Sequence, residues 1–75
     1  MFNSSMGYNM KVSKRTNYLI FEGNQDITEQ CTLENGKANP FGWSQYEICY
    51  KGQRIGWLES GYAMDFEKGF SFKEK

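Results

Sequence analysis

The sequence predicts an all-β fold, a single small antiparallel meander of about five strands. The meander would take the shape of a curled sheet or a small barrel. Apolar and polar residues alternate with period two on both sides of Gly52, which is a strand–turn–strand pattern. Other short apolar runs are separated by glycine, asparagine and proline. The 75 residues include six Phe, five Tyr and two Trp, so a few large rings supply most of a small core.

The beginning of the chain shows no apolar period. Residues 1–9 follow no regular order, and the first sustained apolar run starts only at Tyr18. Chain ends of this kind are often poorly ordered. We therefore predict a flexible polar leader over residues 1–16 and a single small β domain over residues 17–75.

The first predicted strand is the run Tyr-Leu-Ile-Phe-Glu at residues 18–22, which a Gly-Asn pair closes. Four consecutive apolar residues are typical of a strand covered on both faces. We therefore expect a central strand here, buried on both faces or nearly so.

Residues 27–34 allow two interpretations. Ile27, Cys31 and Leu33 alternate with polar residues, which favours a strand. The alternative is a short helix, with Asp26 as its N-cap and Glu29 at the capping-box position. We favour the strand because Thr and Ile lose rotamer freedom in a short helix.

The dipeptide Asn35-Gly36 predicts a type I′ hairpin turn, because both central positions of that turn need positive φ. Such a turn would place Glu34 opposite Lys37. Pro40 then prevents an interior strand, so Phe41 and Trp43 are expected on a loop that leads into the next hairpin.

The central prediction is a hairpin over residues 45–60 with its bend at Gly52. A Lys51-Gly52 loop would set Ile48 opposite Ile55, and a loop shifted by one residue would set Tyr50 opposite Ile55. Both registers project the same five side chains into the interior, namely Tyr46, Ile48, Tyr50, Ile55 and Trp57.

The C-terminal residues predict a second hairpin. Residues 62–66 alternate again, and a loop over residues 67–69 with Gly69 in the left-handed region would pair Phe66 with Phe70. The same register would pair Met64 with Phe72.

Charge and chemistry exclude several function classes. Nine basic residues balance nine acidic ones, so no overall field attracts the chain to nucleic acid or to an anionic membrane. The chain has no His, its glycines form no phosphate-binding motif, and Asp65 and Glu67 are expected to be solvent-facing charges. We therefore predict no enzyme, no cofactor and no metal site.

Membrane and secretion signals, together with the two cysteines, predict where the chain is located. No segment has the length of a membrane helix, and the N-terminus lacks the apolar core of a signal peptide. A cytoplasmic location follows as the default, with Cys31 and Cys49 as buried thiols. A disulfide remains the alternative if the two lie on adjacent strands.

The rings suggest the function. A small sheet has one packed face, so rings near strand ends either complete the core or form a recognition patch with a polar rim. The candidate partner-binding residues are Phe41, Trp43 and Tyr62, with Lys51 and Arg54 at the hairpin tip. We predict a small protein-binding module, an inhibitor or adaptor of the kind that phages and other mobile elements encode, acting by covering a site on a larger partner.

Two alternatives stay open. A single-stranded nucleic-acid binder would stack bases on rings beside cations, but zero net charge disfavours it. A homo-oligomer formed through an edge strand would bury the exposed rings against one another. The cations available for the first alternative are Lys14, Arg15, Lys51 and Arg54.

Overall fold

The computed structural model describes residues 10–75. In this part of the chain eight strands form two antiparallel sheets that do not close into a barrel, and one α-helix is present. The predicted all-β antiparallel class is confirmed, but the strands divide between a five-stranded and a three-stranded sheet. The elements are β1 (Met10–Lys11), α1 (Val12–Arg15), β2 (Tyr18–Glu22), β3 (Gln25–Asp26), a 3-10 helix (Thr28–Gln30), β4 (Thr32–Ala38), β5 (Ser44–Tyr50), β6 (Gln53–Glu59), β7 (Tyr62–Met64) and β8 (Phe70–Glu74).

One hydrophobic core joins the two sheets. The large sheet has the order β1-β4-β5-β6-β7 and the small sheet the order β3-β2-β8. Ile20 of β2 and Ile55 of β6 are both completely buried and belong to the same cluster. The remaining members are mostly aliphatic and come from both sheets, from α1 and from the segment before β4: Val12, Tyr18, Ile27, Cys31, Leu33, Ile48, Tyr50, Leu58 and Ala63.

The first half of the predicted leader, residues 1–9, lies outside the described residues. The second half, residues 10–16, forms β1 and α1 and packs onto the domain. Val12 is buried in the core, and its N–H donates to the Cys31 carbonyl at 3.1 Å. Only polar residues follow Val12 up to Asn17, so this segment shows no apolar periodicity and the sequence offered no signal that it is anchored.

β2 is the central strand of the small sheet, as predicted. Tyr18 and Ile20 point into the core, while Leu19 and Phe21 on the other face are only half-buried. Lys73 of β8 covers part of that face, with its Nζ 5.6 Å from the Phe21 ring centroid. The expected burial of β2 is therefore complete on one face only.

Residues 27–34 contain both predicted structures in succession, the 3-10 helix and then the start of β4. The Asp26 carboxylate accepts hydrogen bonds from the N–H and the hydroxyl of Thr28, at 2.9 and 2.6 Å. These bonds lower the pKa of Asp26. The buried Thr28 hydroxyl in turn accepts the Ile20 N–H at 2.9 Å, which ties the 3-10 helix to β2.

The predicted turn at Asn35-Gly36 is wrong, because both residues form a β-bulge inside β4. Glu34 lies opposite Glu47 and Lys37 opposite Gln45, so the predicted Glu34–Lys37 pairing is wrong as well. The two bulge residues together face Tyr46, whose ring lies directly against Gly36. The actual turn follows at residues 39–43 and carries Phe41 and Trp43, as predicted for these two rings.

The central hairpin is confirmed, with Lys51-Gly52 as its turn and φ values of 52° and 77°. Its register shifts at a second bulge: Cys49 lies opposite Arg54 but Ile48 lies opposite Gly56. Ile55 is therefore the extra residue of β6 and does not face Ile48 as predicted.

The second bulge changes which side chains point inward. Ile48, Tyr50 and Ile55 are buried as predicted, and Tyr46 packs against the core from the side. The prediction for Trp57 is wrong, because the shifted register places it opposite Glu47, and Leu58 enters the core instead.

The predicted C-terminal hairpin is also wrong. β7 pairs with β6, with Met64 opposite Trp57, whereas β8 pairs with β2, with Phe72 opposite Ile20. Phe66 lies between the two sheets: it packs against Gly56, and its ring centroid is 5.0 Å from that of Phe72. The connection therefore crosses from one sheet to the other instead of turning back.

Candidate interaction surface

The five candidate residues occupy opposite ends of the β5–β6 hairpin. Phe41 and Trp43 precede β5, and Tyr62 follows β6, at the end where the Ser60 N–H donates to the Ser44 carbonyl at 2.8 Å. Lys51 and Arg54 lie at the hairpin tip, roughly 20 Å away along the strands. We call the first group, Phe41, Trp43 and Tyr62, the aromatic end.

A network of hydrogen bonds holds the turn at the aromatic end. The Asn39 side-chain oxygen accepts the N–H groups of Phe41 and Trp43, at 2.9 and 3.1 Å. The Asn39 N–H donates to the Trp43 carbonyl at 3.0 Å. Pro40 restricts φ at the start of the turn, and Gly42 adopts a φ of 95° that favours glycine. Phe41 at the apex is thus held in place while 92% of its surface is exposed.

Trp43 and Tyr62 lie on the face of the large sheet that points away from the core, which we call the outer face. The Asn39–Trp43 hydrogen bond continues the β4–β5 ladder, so Trp43 shares a face with Gln45. Gln45 lies opposite Glu59, and Glu59 lies opposite Tyr62. Trp43 is 38% exposed and Tyr62 68%, so the register places two exposed rings on one face, with β6 between their strands.

An open cleft of about 370 Å³ lies beside Tyr62. Arg15 and Glu74, of opposite charge, are among the residues that line it. Arg15 also donates to the Tyr46 hydroxyl at 3.4 Å. The aromatic end therefore has both a cation and an anion at its margin.

At the hairpin tip the cations contact rings of the same chain. The Arg54 guanidinium lies 4.7 Å from the Trp57 ring centroid, and its Nη2 is 3.6 Å from a Glu67 carboxylate oxygen. The Lys51 Nζ lies 5.3 Å from the Tyr50 ring centroid. An exposed ion pair of this kind stabilises a fold little. The ring contact and the ion pair together nevertheless occupy the Arg54 side chain with groups of its own chain.

The outer face also carries a row of side chains centred on Glu47, which the sequence did not predict. Glu34, Glu47, Trp57 and Met64 lie opposite one another on four successive strands. Two carboxylates directly opposed across strands repel each other. Each accepts a hydrogen bond, from Thr32 at 2.8 Å and from Asn35 at 3.0 Å. The two bulges and the turn between β6 and β7 set this register, and the alternation of residues along each strand does not predict it.

Cys31 and Cys49 are free buried thiols. Burial is the main cause that raises the pKa of Cys31 to about 12 and the pKa of Cys49 to about 11. Glu34 and Glu47 contribute to the second shift through their negative charge. Both thiols therefore stay protonated at neutral pH, and a protonated thiol is a poor nucleophile and a poor metal ligand.

Within residues 10–75 no three side chains of the His, Cys, Asp and Glu types are grouped so that they could hold a metal ion. The same residues contain no helix with the length and hydrophobicity that a membrane crossing requires. No protein-family model, curated protein or solved structure matches this chain.

Proposed function

We propose that this chain is a small, non-enzymatic, cytoplasmic protein-binding module that covers a site on a larger partner, as an inhibitor or an adaptor does. The observation that carries the proposal is the exposure of Phe41, Tyr62 and Trp43 together at one end of the large sheet. Exposed apolar groups in a cluster are typical of interaction sites, whereas single exposed side chains are ordinary.

The geometry of the turn favours a binding role for Phe41. Because Asn39 holds the turn through two backbone N–H groups, little conformational freedom remains for a partner to remove. Aromatic anchors that fill a pocket of the partner supply much of the binding energy at interfaces. Phe41 is therefore the proposed anchor, with Trp43 and Tyr62 at the same end of the sheet.

The distribution of cations favours a protein over a nucleic acid. Base stacking on rings is strongest where cations follow the same groove, and Lys51 and Arg54 lie at the end of the hairpin away from the aromatic end. Arg15 lies near Tyr62, but Glu74 lines the same cleft. The zero net charge of the chain points the same way.

The test is an affinity capture from the native cell, with mass spectrometry of the proteins retained. The bait is compared with Phe41→Ala, and Gln53→Ala serves as the matched control because it alters an exposed residue at the other end of the hairpin, outside the candidate surface. We expect one partner to be retained by the unmodified chain and by Gln53→Ala, and to be lost with Phe41→Ala. Equal retention by all three baits would contradict the proposed surface.

A second measurement separates the two macromolecular classes. Binding to labelled single-stranded oligonucleotides is measured at low and at moderate salt. We expect no binding at either salt concentration. Binding that weakens with salt and is lost with Arg54→Ala or Arg15→Ala would replace the protein partner by a nucleic acid.

A further inference from the structure

The four edge strands of the two sheets differ in length. β1 and β3 have two residues and β7 has three, whereas β8 has five. Proteins commonly keep exposed edges short or interrupt them with bulges or proline, because unpaired backbone groups attract other strands. β8 contains neither feature, and no strand in the described part of the chain pairs with its outer side.

The direction of the backbone hydrogen bonds identifies the groups on that outer side. The Gly23 N–H donates to the Gly69 carbonyl at 2.9 Å, and the Lys75 N–H donates to the Asn17 carbonyl at 2.8 Å. Bonding alternates along an antiparallel strand, so the odd-numbered residues of β8 face β2. The N–H and C=O groups of Phe70, Phe72 and Glu74 therefore point outward.

The central side chain of the edge is apolar. Phe72 is 40% exposed, although its ring contacts the core side of the small sheet, with the Tyr18 ring centroid at 5.5 Å. A strand added to β8 would cover the exposed part of this ring. The Phe70 N–H already donates to the Glu67 carbonyl at 3.1 Å, which leaves the N–H groups of Phe72 and Glu74 as the outward donors.

We propose that β8 pairs antiparallel with β8 of a second copy of this chain, around a two-fold axis at Phe72, so that the two small sheets become one six-stranded sheet. In this register Phe72 faces its own copy, Phe70 faces Glu74, and Ser71 faces Lys73. The two free donors meet carbonyl acceptors of the copy. The Phe72 N–H donates to the Phe72 carbonyl of the copy, and the Glu74 N–H donates to the Phe70 carbonyl of the copy.

Charge and strand length select this register over its neighbours. An axis at Lys73 would set the two copies of that lysine directly opposite each other, which is destabilising. An axis at Ser71 would pair only residues 70–72 of the strand. The axis at Phe72 pairs all five residues and opposes no like charges.

The pairing has a geometric consequence. β8 begins near the hairpin tip, where the ring centroids of Phe70 and Tyr50 are 6.1 Å apart. It ends at Glu74, which lines the cleft beside Tyr62. Antiparallel pairing therefore places the two aromatic ends on opposite sides of the dimer, where each can engage a partner.

The first test is sedimentation equilibrium of the full chain from micromolar to millimolar concentration. We expect the mass to rise from 8.8 kDa toward twice that value, since a short strand pairing makes a small and weak interface. The variant Glu74→Pro removes an outward N–H and no bond to β2, and should raise the dimer dissociation constant about tenfold or more. Glu74→Ala is the control and should leave it within about twofold.

A second test needs no substitution. Hydrogen exchange of the Phe72 and Glu74 amides is measured across the same dilution series, and we expect both to be protected in concentrated solution and exposed in dilute solution. A constant mass of one chain overturns the proposal. So does a dimer that Glu74→Pro leaves unchanged, or protection of these two amides that does not depend on concentration.

Discussion

Two dipeptides of this chain, Asn35-Gly36 and Lys51-Gly52, show how the same local signal leads to two structures. Each ends in glycine, and each has a first residue in the left-handed region, with φ values of 54° and 52°. Gly52 also has a positive φ and completes a two-residue turn, whereas Gly36 does not and the strand continues. The dipeptide with the stronger turn preference is the one that does not turn.

The surroundings of the two glycines explain the difference. A Cβ at Gly52 would meet no atom within 4 Å, whereas a Cβ at Gly36 would clash with the Tyr46 ring. The first glycine is needed for its backbone conformation, and the second for the space that it leaves to a ring. A turn signal is therefore overridden where the continued strand packs a large side chain over it. Substitutions at the two glycines and at their neighbours test this distinction.

The largest effect is expected for Gly36→Ala. The added methyl group would displace the Tyr46 ring, and overpacking of this kind costs about 1–3 kcal/mol of unfolding free energy. Chemical denaturation of the variant measures this loss. If space is the cause, the loss shrinks when the same substitution is made in a Tyr46→Leu background, which keeps an apolar side chain but removes the ring. An equal loss in both backgrounds would contradict a steric role for Gly36.

Gly52→Ala is expected to cost about 1–2 kcal/mol, the price of the left-handed region for a residue with a Cβ. The same denaturation experiment checks it. Gly52→Asn should cost less, because asparagine tolerates positive φ. Tyr46→Leu should not rescue Gly52→Ala, and a rescue there would erase the distinction between the two sites.

Exchanging the first residues of the two dipeptides is expected to change the stability of the fold by less, and the two changes should have opposite signs. Lys51→Asn is expected to stabilise the fold by about 0.5 kcal/mol, because asparagine suits a type I′ turn better than lysine. Asn35→Lys should destabilise it, since it loses both this preference and the hydrogen bond to Glu47. Thermal unfolding of the two variants measures both changes. Shifts of the same sign would show that the two positions do not share a backbone requirement.

The smallest effect is expected for Asp26, whose hydrogen bonds join it to a residue close to it in the sequence. Hydrogen bonds from the Thr28 hydroxyl and N–H lower the pKa of Asp26 in the folded state. These bonds therefore stabilise the fold above the unfolded-state pKa, and this contribution is lost as the pH falls through the folded-state value. We expect the difference in stability between the unmodified chain and Asp26→Asn to shrink in acid. Denaturation curves at neutral pH and near pH 3 measure this difference, and a constant difference would contradict the assignment.

The parts of the fold that could be predicted depend on neighbours in sequence. The turn at Lys51-Gly52, the loop that carries Phe41 and Trp43, and the strand Tyr18–Glu22 all follow from patterns within a few residues. The burial of Ile48, Tyr50 and Ile55 follows from the same alternation. For the candidate surface, Pro40 and Gly42 were enough to place Phe41 and Trp43 outside a strand.

Two further errors concern strands that are distant in the chain. Trp57 alternates with the right period to enter the core, but the bulge at Ile55 exchanges its role with that of Leu58. Phe70 and Phe72 alternate as a hairpin partner of β7 would, yet β8 pairs with β2. No pattern within either segment distinguishes the two outcomes.

Patterns within a few residues were enough to predict the class of this protein, the strand at residues 18–22 and the central hairpin, because alternation and turn chemistry act over short range. Contacts between distant segments set which strand pairs with which, where the two bulges lie, and that the candidate rings lie at the end of the hairpin opposite to Lys51 and Arg54. A period of two assigns side chains to faces only while the register holds. Whether it holds depends on how rings such as Tyr46 and Phe66 pack across strands that are distant in the chain.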